Sequence, residues 1–259
     1  MSKLPLSYIR ALKEDSGSDD NLSDHLLVSM EQVSLAPESR VALITDPRGP
    51  GSDRFRLLRM RLAAFKEKAK IRSLAVTSPL PRDGKSTVSI NLATALAEGG
   101  GSRVLLIEAD LHQPSLAGIL GVQRQPGLAE CLQDGVDPAS VIKHLEPLSW
   151  NLLQAGEPKG NPTELLQSEA LGEMLRKLSR FFDWILIDTP PVAPLTDALS
   201  IARHVDASLL VVRADQTPRS AVEEALDRLG RKNVLGMVLN GAHGLNELYS
   251  QYYGYYSRK

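Results

Sequence analysis

The chain has 259 residues, of which 42% are hydrophobic and 24% charged, enough for one doubly wound domain. Its 30 basic and 31 acidic residues give a formal net charge of -1, so no nucleic acid partner is expected. The single cysteine, Cys131, excludes a disulfide framework and a cysteine-based zinc site. Because no apolar run reaches ~18 residues and the N-terminus lacks a signal-peptide pattern, we expect a cytoplasmic chain.

Composition divides the chain into three zones. Residues 1–50 include the polar stretch Ser16–Asp24 and are predicted to be a flexible N-terminal arm, with a possible strand at Val41–Thr45. Residues 51–241 alternate apolar strands with helical patterns and are predicted to form the domain. Residues 242–259 are predicted to be a C-terminal tail, which holds five of the six tyrosines: Tyr249, Tyr252, Tyr253, Tyr255 and Tyr256.

The middle zone predicts an α/β fold. Its predicted strands are Ser73–Ser78, Arg103–Asp110, Asn151–Ala155, Trp184–Asp188, Ala207–Ala214 and Val234–Asn240, and its predicted helices are Ser86–Glu98, Glu169–Phe181 and Arg219–Arg231. Strands that are apolar on both faces and alternate with helices indicate a doubly wound, mostly parallel sheet with helices on both faces. Such sheets bind ligands beyond the carboxyl ends of their strands.

The first of these strands is followed by the end of a phosphate-binding loop, Asp83-Gly84-Lys85-Ser86-Thr87. This G-K-S-T string lies between a strand and a helix, as a P-loop requires. Backbone amides at the helix N-terminus bind phosphate. Lys85 can reach the β- and γ-phosphates, and the Ser86 hydroxyl can bind Mg²⁺. Pro79 stands where the first glycine of the motif is usual, and the alternative is an ordinary helix start with a lysine in its first turn.

Carboxylates at two further strand ends strengthen the nucleotide interpretation. Asp188 ends one predicted strand, and Glu108 and Asp110 end another. Spacing of two residues in an extended strand puts Glu108 and Asp110 on one face. We therefore predict an ATP and Mg²⁺ site in which Lys85, Glu108, Asp110 and Asp188 are catalytic. Ser86, Glu108 and Asp188 are the predicted metal ligands, and residues 83–87 the predicted nucleotide-binding loop.

These motifs resemble those of the bacterial tyrosine autokinases (BY-kinases) linked to capsule and exopolysaccharide export. The resemblance extends from about Pro50 to the C-terminus. It rests on Pro81–Thr87 (Walker A), Val104–Pro114 (Walker A′), Ile185–Pro191 (Walker B), the stretches Asn161–Leu166 and Thr196–Ala198, and the tyrosine-rich tail. Asp53, Arg56 and Arg59 resemble the E-x-x-R-x-x-R oligomerisation helix of the family, with Asp53 in place of glutamate.

The resemblance implies an ATP-dependent protein-tyrosine autokinase that phosphorylates the tail tyrosines in trans and regulates exopolysaccharide or capsule polymerisation and export. It also implies a homo-oligomeric ring, a separate transmembrane chain-length regulator as activator, and a cognate tyrosine phosphatase. The chain would then lie at the inner face of the cell membrane through its partner. Either Asp110 or Glu108 would accept the proton of the incoming tyrosine.

Three positions depart from the family pattern. Glu108 replaces the usual aspartate, His112 the usual arginine, and Arg82 a typical glycine. None of these changes removes a charge that Mg²⁺ requires. Two other functions stay open: a Min- or Par-type ATPase, and a nucleotide-binding scaffold without tyrosine kinase activity. The first class usually has a second lysine early in the loop, and none lies between Thr77 and Asp83.

Overall fold

The computed structural model describes residues 28–35, 39–193 and 196–242. Its strands are β1 Ser29–Gln32, β2 Ser73–Thr77, β3 Val104–Glu108, β4 Lys143–Glu146, β5 Trp150–Leu153, β6 Trp184–Asp188, β7 Ala207–Arg213 and β8 Val234–Asn240. Its α-helices are α1 Ala42–Thr45, α2 Pro50–Ala69, α3 Lys85–Ala97, α4 Leu116–Leu120, α5 Leu128–Gln133, α6 Pro138–Val141, α7 Pro162–Gln167, α8 Glu169–Leu178, α9 Asp197–Ala202 and α10 Arg219–Leu229.

The strands form one sheet in the order β1-β4-β5-β3-β6-β2-β7-β8. Every neighbouring pair is parallel except β4 and β5, which run antiparallel. This arrangement confirms the predicted mostly parallel α/β fold. The central strands β3, β6 and β2 end side by side, and Glu108 is paired in register with Asp188.

Both faces of the central strands are buried, which is why these strands read as continuous apolar runs. On one face Leu74, Leu106 and Leu186 pack with Ile90 and Leu92 of α3. On the other face Ala75, Ile107 and Ile187 pack with Leu171 and Leu175 of α8. The helices cover both faces of the central strands, and in such sheets ligands bind beyond the carboxyl ends of the strands.

The strand predicted at Val41–Thr45 is wrong, because the structure has helix α1 there. Val41 and Leu43 are buried, as an apolar strand would require. However, Asn91 of α3 accepts a hydrogen bond from the Ala42 amide at 2.7 Å and so satisfies the start of a helical turn. A short apolar run has no clear period, so a tertiary hydrogen bond decides its structure.

Two segments within the first 50 residues pack on the domain. Strand β1 pairs with β4 at the sheet edge. Helix α1 is held to α3 by Asn91, which also donates to the Arg40 carbonyl at 2.8 Å. Residues 1–27 and 36–38, like the tail tyrosines, lie outside the described residues. None of the helices in the described part of the chain is long and apolar enough to cross a bilayer.

Candidate active site

The loop between β2 and α3 brings the backbone of a helix start to the sheet edge. Gly84 precedes α3 with a φ of 95°, in the left-handed region that glycine tolerates. A Cβ at Gly84 would lie 2.0 Å from Nδ2 of Asn240, at the end of β8. That Nδ2 donates to the Asp83 carbonyl at 2.9 Å. Both the backbone angle and the contact with the Asn240 side chain therefore favour glycine.

The Asp83 side chain, predicted to help bind the nucleotide, braces the loop itself. Its Oδ2 accepts from the Leu80 amide at 3.1 Å, and its Oδ1 accepts from Thr217 Oγ1 at 2.7 Å. Thr217 in turn accepts from the Arg213 amide at 3.1 Å. Sequence reasoning missed Thr217 and Asn240, because both lie more than a hundred residues from the loop and no local pattern marks them.

Arg82 adopts a φ of 70°, which explains why glycine is typical at its position in the family. For a residue with a Cβ, the left-handed region costs about 1–2 kcal/mol. The loop keeps this conformation because Asp83, the next residue, is tied to Leu80 and Thr217. Arg82 thus adds local backbone strain to the loop.

Lys85, in the first turn of α3, lies between the loop and the end of β3. Its Nζ is 3.0 Å from Asp110 Oδ2, and both side chains are about one-tenth exposed. Burial by itself lowers the pKa of Lys85, but the negative charges of Asp188, Asp110 and Glu108 together raise it above its usual value. Lys85 is therefore a cation held where phosphate charge has to be neutralised.

Asp188 ends β6 and is fully buried. Its Oδ1 accepts from Ser89 Oγ at 3.0 Å, whereas its Oδ2 has no hydrogen-bond partner among the described residues. Burial raises the pKa of Asp188 to about 6, although Lys85 and the hydroxyls of Ser86 and Ser89 lower it. An unpartnered carboxylate oxygen in a buried site is unusual and needs an explanation.

This orphaned oxygen fits a magnesium ion. Asp188 and Ser86 would supply the protein ligands. Ser86 lies in the first turn of α3 and is followed there by Thr87. Across the residues that the structure describes, no three His, Cys, Asp or Glu side chains converge into a metal cage. Mg²⁺ typically takes one or two protein ligands and completes its shell with water and phosphate oxygens, so the donors present suit it.

Glu108 lies beside Asp188, but its carboxylate is bound by backbone N–H groups. Its Oε1 accepts from the amides of Ser115 and Leu116 at 2.5 and 2.7 Å, and its Oε2 accepts from the Ala155 amide at 3.3 Å. These bonds fix the start of α4. The fold thus brings all the predicted acids to one edge, yet Asp110 is the one that bonds Lys85.

The side chains predicted for oligomerisation make contacts within this chain. Arg56 Nη2 is 2.6 Å from Glu98 Oε1, and Arg59 Nη1 is 2.9 Å from Glu98 Oε2. Arg56 also pairs with Asp53 at 3.2 Å, and Arg59 donates to the Ala95 carbonyl at 3.0 Å. The two arginines therefore tie α2 to the C-terminal end of α3, where cations are favoured.

We expect Glu98→Ala to lower the free energy of unfolding by about 0.5–1.5 kcal/mol, because it removes one acceptor shared by two arginines. Glu67→Ala, on an exposed position of α2, is the matched control and should change it by less than about 0.5 kcal/mol. Urea unfolding midpoints measure both. Equal midpoints for the two variants would show that the cluster does not hold α2 on α3.

Comparisons with known proteins agree with this geometry. A ParA family model, described as the NUBPL iron-transfer P-loop NTPase, matches residues 72–246. The chain is 36% identical to tyrosine-protein kinase ptk of Acinetobacter johnsonii, over 64% of this chain and 23% of ptk. It is 33% identical to putative tyrosine-protein kinase CapB of Staphylococcus aureus, over 80% of this chain and 92% of CapB.

A solved structure extends the likeness to the fold. The kinase domain of Escherichia coli tyrosine kinase ETK is 28% identical and superposes with a TM-score of 0.74, covering 78% of this chain and 80% of that domain. The chain belongs to the bacterial tyrosine-protein kinases. The family that its motifs resemble is thus confirmed, and the predicted enzyme class, protein-tyrosine kinase, is that of these relatives. This bacterial tyrosine kinase chain matches only 23% of the length of ptk.

Proposed function

We propose that the chain transfers the γ-phosphoryl group of ATP, in the presence of Mg²⁺, to tyrosines in the tail of a neighbouring copy. The observation that carries this proposal is Asp188 Oδ2, which is buried and has no hydrogen-bond partner in the part of the chain that the structure describes. The charge of Asp188 acts on Lys85, which forms the ion pair with Asp110. A metal ligand, a phosphate-binding cation and a proton acceptor are what phosphoryl transfer asks of a protein. The relatives' names favour tyrosine as the acceptor.

The residues of the chain have separate tasks in this reaction. The backbone amides of residues 84–87 bind the phosphates at the positive end of α3. Lys85 neutralises charge on the transferred group. Ser86 and Asp188 would hold Mg²⁺, which when bound withdraws charge from the phosphate oxygens. Asp83, braced by Thr217, keeps the loop in its binding conformation.

The proton of the acceptor tyrosine needs a base, since a phenol has a pKa near ~10. Asp110 suits this task better than Glu108. The Lys85 side chain is flexible and can turn from Asp110 to a bound phosphate, whereas the amides on Glu108 belong to the backbone and stay. The phenol oxygen forms a bond to the γ-phosphorus, the bond to the β–γ bridging oxygen breaks, ADP leaves, and the proton passes to Asp110.

The proposed acceptors are Tyr249, Tyr252, Tyr253, Tyr255 and Tyr256. The proposal includes a ring in which one copy serves the next, a separate transmembrane activator and an opposing tyrosine phosphatase. It also includes a place at the inner membrane face and control of exopolysaccharide polymerisation and export. Support for these points comes from the resemblance to capsule and exopolysaccharide kinases. Each phosphotyrosine would add ~-1.5 to -2 charges to the tail.

The intact mass of the protein tests this function. It is measured on protein as isolated from its native cell, after phosphatase, and after phosphatase followed by Mg·ATP. We expect phosphate additions that map to the tail tyrosines and are removed by phosphatase. Lys85→Met should prevent them while leaving the thermal unfolding cooperative. The absence of tyrosine phosphate from every wild-type sample would contradict the proposal.

The main alternative is a Min- or Par-type ATPase, which the ParA family match keeps open. The same samples distinguish it. Release of inorganic phosphate from ATP without any labelling of the chain would favour that ATPase. Binding of ATP without turnover would favour a nucleotide-binding scaffold.

A further inference from the structure

Two stretches that resemble the kinase family have no task in the chemistry described so far. Asn161–Leu166 contains the start of α7, and Thr196–Ala198 contains the start of α9. The structure brings them together, because Thr163 Oγ1 donates to Asp197 Oδ1 at 2.8 Å. Asn161 caps α7 by accepting from the Thr163 amide at 3.1 Å, so the position of Thr163 is fixed by the local fold.

The second oxygen of Asp197 bonds the loop that follows β3. His112 Nε2 lies 2.8 Å from Asp197 Oδ2. The Asp197 side chain is fully buried, whereas His112 is about one-third exposed. One buried carboxylate therefore joins three segments that are far apart in the chain. With both oxygens hydrogen-bonded, Asp197 avoids the penalty of an unsatisfied buried charge.

The loop segment held by Asp197 also carries Asp110. Asp110 Oδ1 accepts from the Gln113 amide at 3.1 Å, which closes a turn around His112. Asp110 Oδ2 then points to Lys85. Glu108 anchors the far end of the same loop through the amides of Ser115 and Leu116. His112 lies between these fixed points, so its position determines the geometry of the turn and with it the orientation of the Asp110 carboxylate.

We propose that Asp197, supported by Thr163, is a positioning residue that acts through His112 to hold the Asp110 carboxylate in place for tyrosine phosphorylation. This inference rests on the proposed function for its kinetic consequence. Asp197 is not proposed to contact ATP or the acceptor tyrosine. Its effect falls on the rate of transfer and not on nucleotide binding, because the loop over residues 80–87 is braced separately by Thr217 and Asn240.

The variants Asp197→Asn, His112→Ala and His112→Gln test the proposal, with a Lys85→Met chain as the acceptor. Asp197→Asn removes the carboxylate charge and one of the two acceptor oxygens that Thr163 and His112 share, and His112→Ala deletes the His112 contact. Glutamine at position 112 can still donate to Asp197. We expect at least a tenfold loss of kcat in the first two variants, a change of less than threefold in His112→Gln, and ATP dissociation constants within twofold of wild type in all three.

Hydrogen exchange gives a readout that does not depend on catalysis. Loss of the Asp197–His112 contact should speed exchange at the amides of Gln113, Ser115 and Leu116, and leave the amides of α10 unchanged. If Asp197→Asn does not fold, His112→Ala, at a partly exposed position, carries the test. Wild-type kcat together with unchanged exchange in His112→Ala would overturn the positioning role. If the wild-type chain itself forms no phosphotyrosine, the proposed function fails, and hydrogen exchange alone decides whether Asp197 holds the loop.

Discussion

Gly84→Ala is expected to abolish binding of Mg·ATP and to destabilise the free protein. Alanine at a φ of 95° costs about 1–2 kcal/mol. Its Cβ would also displace Asn240 Nδ2 from a distance of 2.0 Å and break the hydrogen bond to Asp83, which adds about 1 kcal/mol. The melting temperature should fall by roughly 5–10 °C. Calorimetric titration should show a loss of ATP affinity of at least ~100-fold, because the phosphate-binding amides move with the loop.

Gly99→Ala is the matched control for this substitution. Gly99 also has a left-handed backbone, with a φ of 79°, but a Cβ there would meet nothing within 4 Å. It should show the backbone penalty alone, about 1–2 kcal/mol, with unchanged ATP affinity. If Gly84→Ala binds ATP as tightly as Gly99→Ala does, the loop is not the nucleotide site that the structure indicates.

Asp188→Asn is expected to abolish phosphoryl transfer and yet stabilise the protein without nucleotide at pH 7.5. Burial holds the pKa of Asp188 at about 6, above the usual 3.8. The folded state therefore binds a proton more tightly than the unfolded chain does. At pH 7.5 the ionised, buried carboxylate costs on the order of 3 kcal/mol relative to its protonated form, and asparagine removes that charge. The melting temperature should rise by several degrees.

The raised pKa of Asp188 also determines how the stability of the protein changes with pH. The stability of the wild type should be highest below about pH 4 with respect to this group, and should decline as pH rises through about 6. The advantage of Asp188→Asn should therefore shrink at pH 5. Asp183→Asn is the control of opposite sign: although burial raises the pKa of Asp183, hydrogen bonds from Arg103 lower it below its usual value. A destabilised Asp188→Asn protein at pH 7.5 would show that the charge is already compensated.

The central strands could be predicted from the sequence because both faces of β2, β3 and β6 are apolar and the chain between them forms helices. Strand β4 was missed, since Lys143–Glu146 has a single aliphatic residue and takes its structure from pairing with β1 and β5. Helix α1 was mistaken for a strand for a related reason. In both places a contact with a distant part of the chain outweighs the local pattern.

The candidate site could be predicted in composition but not in geometry. The strand containing Glu108 was predicted to continue to Asp110, which would put both carboxylates on one strand face. In the structure β3 ends at Glu108. Asp110 therefore takes its direction from the loop, through Gln113 and Lys85, and Glu108 turns to the start of α4. Residue spacing does not show that backbone amides bind the Glu108 carboxylate. Nor does it show that one oxygen of Asp188 has no hydrogen-bond partner among the residues that the structure describes.

Mixing two variant chains, neither of which can label its own tail, tests the central claim most directly. One chain carries Lys85→Met and keeps its tail as acceptor. The other keeps its P-loop and has phenylalanine at all five tail tyrosines. With Mg·ATP we expect intact mass to show phosphate on the Lys85→Met chain only in the mixture, and none on either chain alone. If wild-type chains label themselves but the Lys85→Met chain stays unmodified in the mixture, transfer between copies is contradicted. If tyrosine phosphate is absent from the wild type as well, the kinase activity itself is contradicted.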